Sequence, residues 1–247
     1  PVSRRDDLAI VLDGGGALAQ AAPIQPGESK YIADPSALPP TFFAGEGSDI
    51  WRADVQYDWR PIPVDTGLGF VTSPLTDDMV VVGAGSLDLW ITSTSADTDI
   101  EATISEVRPD GKEIYVQSGW LRASHRSLAD SATALRPAHT NLEAEASDLP
   151  VGEFTEVRVE LLPFAHPFRA GSRLRLTIDA PGGNRPEWEF RTISSGETVT
   201  VANDAEHPSK LVLPVVSGVE VPAAAPPACG SLRGQPCREW VKASNGG

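Results

Sequence analysis

The sequence predicts an all-β protein, a jelly-roll β-sandwich with an irregular N-terminal arm and a Pro/Ala-rich tail. Three observations predict it. About nine short strand candidates, most of them alternating apolar and polar residues, follow one another with turn residues between them. Glycine and proline number 22 each against a single methionine, Met79, a punctuation that favours short strands over long helices. The stretch Thr98–Arg126 reads as a complete hairpin around which the rest is arranged.

In that hairpin Ile100, Ala102 and Ile104 alternate with Asp99, Glu101, Thr103 and Ser105, the period of a strand with one buried and one wet face. Pro109-Asp110-Gly111 supplies a preset φ, a side chain that bonds its own backbone and a residue that tolerates positive φ, so the chain reverses there. Ile114 and Val116 resume the alternation on the way back. The hairpin ends in Gly119-Trp120-Leu121-Arg122-Ala123-Ser124-His125-Arg126, an aromatic and basic patch in an acidic chain.

Before the hairpin, Leu8–Leu12 has strand character and is closed by Asp13-Gly14-Gly15-Gly16, which reads as a turn. The phosphate-loop patterns require further fixed glycines or a Gly-Lys-Ser/Thr ending, and neither follows. Residues 20–62 are rich in proline, glycine and aspartate, with Tyr31, Phe42, Phe43, Trp51, Tyr57 and Trp59 spaced through them. An irregular arm pinned by its rings fits this composition. Met79–Gly83 and Ser86–Ser93 are two strand candidates, the second with Leu87, Leu89 and Ile91 on one face.

After the hairpin, Ser127–Leu135 is expected as one short helix. Glu153–Leu162, Arg173–Asp179, Thr198–Ala202 and Lys210–Val216 complete the strands. The organisation expected is one domain: an N-terminal strand and irregular arm over 1–62, a sandwich core over 63–218 and a flexible tail over 219–247. In the tail, the glycines and proline between Cys229 and Cys237 suit a tight loop. A disulfide there would contribute roughly 2–3 kcal/mol and would point to a secreted or periplasmic protein.

The chain is long enough to bury about 70–75% of its unfolded surface, so it needs no staple. A net charge of −14 excludes a nucleic-acid partner, which requires a basic face. No apolar run reaches the ~20 residues of a membrane-spanning helix. The start at Pro1, with neither initiator methionine nor a basic-then-apolar leader, reads as a processed or excised chain.

The ordered set Val71-Thr72-Ser73-Pro74-Leu75, Gly83-Ala84-Gly85-Ser86-Leu87, Ser95-Ala96-Asp97-Thr98-Asp99, Val107-Arg108-Pro109-Asp110-Gly111, Gly119–Ser124 and Phe168–Leu176 resembles the C-terminal jelly-roll domain of the X-Pro dipeptidyl-peptidase and cocaine esterase family of serine hydrolases. The resemblance runs from about Leu8 to about Val216. It implies a galactose-binding-like sandwich that packs beside an α/β-hydrolase catalytic domain, in cis or as a separate chain, and helps shape its pocket. Two departures stand out. Ser172 occupies a position where the family often has histidine, and Asp179–Pro186 replaces a Ser/Asp/Phe-Pro segment. The family's catalytic serine, aspartate and histidine precede this domain, so no residue here inherits a catalytic role.

The residues agree. A serine hydrolase of that kind needs Gly-x-Ser-x-Gly to expose its nucleophile, and the chain has none. His125, His139, His166 and His207 lack the close His or Cys partners that zinc spacing supplies, and no cofactor is implied. Asp97 and Asp99, with Glu101, offer same-face carboxylates for calcium, given further oxygen ligands; a solvated acidic face accounts for them equally. Trp120, Arg122, His125 and Trp188 are the candidate domain-interface residues, since tryptophan and arginine dominate interface energetics. A free-standing carbohydrate-binding or interaction module is the alternative function.

Overall fold

The computed structural model describes residues 4–20, 27–39, 42, 52, 54–182, 191–222, 225–232, 234–243 and 245. Its strands are β1 (Arg4–Leu12), β2 (Leu18–Ala19), β3 (Glu28–Ile32), β4 (Gly67–Val71), β5 (Met79–Ser93), β6 (Asp99–Val107), β7 (Lys112–Arg122), β8 (Thr155–Phe168), β9 (Arg173–Asp179), β10 (Thr198–Ala202), β11 (Lys210–Ser217) and β12 (Cys237–Glu239). They form two antiparallel sheets. One runs β2-β1-β11-β5-β10-β3, with β8 along the other edge of β5; the second runs β12-β7-β6-β9-β4. The core lies between them. Leu87, Leu89 and Ile91 of β5 and Val157, Val159 and Leu161 of β8 meet Ile100, Ala102 and Ile104 of β6 and Leu174, Leu176 and Ile178 of β9, all at 0–1% exposure.

The β6–β7 hairpin forms as its sequence dictates. Gly111 adopts φ 79°, its N–H donates to the Arg108 carbonyl at 3.0 Å, and the Asp110 carboxylate accepts the Lys112 N–H at 3.1 Å. The glycine loop after β1 is likewise a turn, closed by the Asp13 N–H on the Ala17 carbonyl at 2.9 Å and leading into β2.

Four expectations are corrected. The two candidates at 79–93 are one strand, because an irregularity between Gly83 and Gly85 bends β5 without ending it. Ser127–Leu135 is not helical. Its carbonyls are taken by side chains and bridges instead, with Arg158 donating to Thr133 and Ala134 at 3.0 Å and Leu128 bridging His139. The arm is not wholly irregular, since β3 lies within it and pairs with β10 while burying Tyr31 in the main core. The last stretch also contributes structure: Cys229 and Cys237 are bonded, and β12 pairs with β7.

The wet face expected on β6 is dry. Every residue of β6 is buried, including Asp99, Glu101, Thr103 and Ser105, because the arm and the C-terminal stretch fold over the outside of the second sheet. Phe42 packs with Val55, Tyr57 and Trp59 there, separate from the main core.

Candidate interaction surface

Trp120 and Arg122 stand two apart on β7 and therefore share its outer face. Strand register sets Trp120 opposite Glu101 and Arg122 opposite Asp99. Arg122, 31% exposed, donates to both oxygens of the fully buried Asp99, at 2.9 and 3.2 Å, and to the Arg191 carbonyl at 2.8 Å. The Asp99 bond is the main reason the guanidinium is held above its ordinary pKa. Asp99 also accepts the Ile193 N–H at 2.7 Å.

The turn that follows is fastened from below. Asp97 accepts the N–H groups of Ser124 and Thr98 at 2.8 and 2.9 Å, and the Ala123 N–H reaches the Thr98 carbonyl at 2.9 Å. His125 sits half-buried in the 3-10 turn Ala123–His125. Arg126 donates to the carbonyls of Ala123, Ser147 and Asp148. The expected basic patch is therefore a braced edge: its arginines are tied down, and half-exposed Trp120, Arg122 and His125 remain on the rim. Trp188 lies outside the described residues. Asp97 and Asp99 serve the turn and the ion pair separately, and Asp97 precedes β6, so the shared solvated acidic face is corrected. Among the described residues no group of three or more His, Cys, Asp or Glu is placed to hold a metal.

Beneath the arm lies a charged cluster that sequence reasoning missed. Glu113 of β7, fully buried, accepts Arg175 of β9 at 2.7 Å, Arg238 of β12 at 2.8 Å and the Ser105 hydroxyl at 2.7 Å. Burial pushes its carboxyl up, but Arg238 and Arg175 outweigh that and hold it below the usual glutamate range. The Arg238 guanidinium stacks 3.7 Å over the Trp59 ring, and Trp59 meets Tyr115 edge-on at 6.0 Å. Asn245 extends the seal by bonding both the N–H and the carbonyl of Gly69, at 2.7 and 3.0 Å, as a strand neighbour would. The hint in sequence was Arg175 on the outward side of β9; nothing local announced its partners.

At the other margin Asp179 faces Glu101 in register. Burial first, then the Glu101 charge, push its carboxyl well above the ordinary aspartate value, with Arg238 opposing. A raised carboxyl favours the folded state fully below the unfolded pKa and costs stability as pH climbs above it. Asp179→Asn is therefore expected to raise the melting temperature at pH 7, with the gain shrinking toward zero near pH 4; thermal scans across that range read it.

With this geometry in place, comparison with known proteins decides the family. The family model described as the X-Pro dipeptidyl-peptidase C-terminal non-catalytic domain matches residues 52–212. The chain belongs to this family. It is 28% identical over 222 residues to the cocaine esterase of Rhodococcus sp., covering 82% of this chain and 35% of that protein. Among solved structures it shares its fold with a CocE/NonD family hydrolase from Staphylococcus aureus, with TM-score 0.64 and 21% identity over 86% of this chain and 37% of that one. An alpha-amino acid ester hydrolase superposes with TM-score 0.60 at 20% identity, covering 85% and 36%. The chain thus spans about a third of the length of these relatives.

The four histidines are half-buried. His139 is half-buried with no partner for Nε2, and burial pushes it down. His207 sits against Trp90 and Phe154, with ring centroids 5.0 Å away in each case. His166 bonds Glu106 at 2.8 Å and stacks edge-on against Phe168 at 4.7 Å. Among the described residues no helix is long and apolar enough to cross a membrane.

Proposed function

We propose that this chain is the accessory domain of a secreted or periplasmic serine hydrolase acting on acyl esters, or on peptides with a proline or α-amino acyl end. It docks on the α/β-hydrolase domain through the rim of β7 and the 3-10 turn, and helps shape the substrate pocket. In such an enzyme the nucleophile, base and oxyanion hole belong to the other domain. The observation that carries the reading is the rim itself. Trp120 and Arg122 are both partly exposed, and Arg122 is pre-set by a buried carboxylate, so it loses little entropy on docking. The relatives named as esterases and ester hydrolases support the substrate class.

Trp120→Ala is expected to leave the domain folded and to weaken its affinity for a separately produced hydrolase domain by about tenfold or more, as a buried aromatic anchor does. Calorimetric titration checks it; equal affinity for both forms removes Trp120 from the interface.

A further inference from the structure

A second site stands at the other end of β6. Glu106 is seven residues from Asp99, about 23 Å along the strand, and faces inward at the open end of the sandwich. A cavity of about 530 Å³ opens there, between the Arg108–Gly111 turn, the last residues of β8 and the disulfide loop. Its walls are aliphatic, formed by Pro109, Ile114, Pro167, Pro226, Pro227 and Leu232. Its floor is polar. The Glu106 side chain, 7% exposed, meets His166 Nε2 at 2.8 Å through one oxygen, while the other has the Arg169 N–H at the long distance of 3.5 Å, with the Ser172 hydroxyl nearby. Ser172, 1% exposed, lines the same floor, and its Oγ has no well-formed hydrogen bond.

Burial pushes the Glu106 carboxyl up, yet His166, the nearby Ser172 hydroxyl and the Arg169 N–H together hold it below the usual range, so it is ionised at neutral pH. No lysine or arginine side chain bonds it among the described residues. The two arginines at the cavity are committed elsewhere: Arg108 to Asp110 and the Pro227 carbonyl, Arg169 to the Pro222 carbonyl.

We propose that this cavity binds a small primary amine with an apolar body, the ammonium seated on Glu106 and Ser172 Oγ and the body among the prolines. An ammonium supplies a close donor to the carboxylate oxygen that now has only long contacts and accepts nothing in return, while the Ser172 hydroxyl gains a well-formed bond. A purely apolar guest would cover the charged carboxylate without adding a donor to it. An anion would sit against a buried carboxylate. The site does not depend on the docking reading, since it uses none of the same residues.

The test titrates the whole 247-residue chain at pH 7 with benzylammonium, benzyl alcohol and benzoate, followed by calorimetry and ligand-observed NMR. The expected result is saturable binding of benzylammonium about tenfold or more tighter than benzyl alcohol, with no binding of benzoate. Glu106→Gln should erase most of that preference. Ala170→Trp, at an exposed position on the cavity mouth, should block the amine without changing the melting temperature, which keeps the test decisive if the first variant fails to fold. Absence of saturable amine binding, binding of the alcohol or benzoate as tight as the amine, or amine affinity unchanged in Ala170→Trp would overturn the proposal.

Discussion

Replacing Glu113 by alanine is expected to destabilise the chain by about 3–5 kcal/mol in denaturant unfolding, among the largest effects of any single polar substitution here. The carboxylate is fully buried between Arg175 and Arg238, whose side chains are 4% and 7% exposed. Removing it leaves two guanidinium groups facing each other without an anion, and Ser105 without its acceptor. The size of the loss comes from these orphaned charges rather than from the worth of the ion pairs. A triple replacement of Glu113, Arg175 and Arg238 by apolar residues of similar volume should therefore recover most of it. Since the Glu113 carboxyl is held below its ordinary value, its contribution is present above about pH 4.5 and fades as pH falls through the folded-state pKa. A loss under about 1 kcal/mol for the alanine variant would mean that water reaches the cluster.

Gly119→Ala is expected to be nearly as damaging, about 3 kcal/mol or more, although it adds a single methyl group. Gly119 lies on the inward side of β7, opposite Ala102, where β8 crosses it backbone to backbone. A Cβ there would overlap the Glu160 carbonyl oxygen, lie 2.7 Å from the carbonyl carbon and 3.0 Å from the Leu161 Cα. No rotamer relieves a clash with backbone, so the sheets must part or β7 must shift. Either response disturbs Trp120, the next residue. A variant with wild-type stability would show that the two sheets have slack at this crossing; the unfolding midpoint and slope report it.

The alternation that revealed β6, β8 and β9 speaks only of which side chains point the same way. On β6 it correctly set Ile100, Ala102 and Ile104 toward the core and Asp99, Glu101 and Thr103 away from it. It carried no information on what covers the far face, and polar residues there read as wet. The covering comes from Phe42, Tyr57 and Trp59, some 55 to 75 residues before Tyr115 in sequence, and from Arg238 more than a hundred after it. Such long-range pairing leaves no periodic trace.

Short edge strands were hidden for a related reason. β3 buries Tyr31 and Ser29 but leaves Ile32 exposed, and β4 is Gly-Leu-Gly-Phe-Val, where glycines blur the pattern. The Ser127–Leu135 stretch looked helical from composition alone, and tertiary donors from Arg158 overrode that weak propensity. For the interaction surface, Trp120, Arg122 and His125 were legible as an aromatic and basic cluster. The bracing of Arg122 by Asp99 was not, because it depends on the register of β6 against β7.

As the accessory domain proposed above, this chain contributes no nucleophile and serves a hydrolase domain that does. A fluorophosphonate reagent added to an equimolar mixture of this chain and the hydrolase domain, read by intact mass, tests it most directly. One adduct on the hydrolase domain and an unchanged mass for this chain are expected. A stoichiometric adduct on this chain would contradict it.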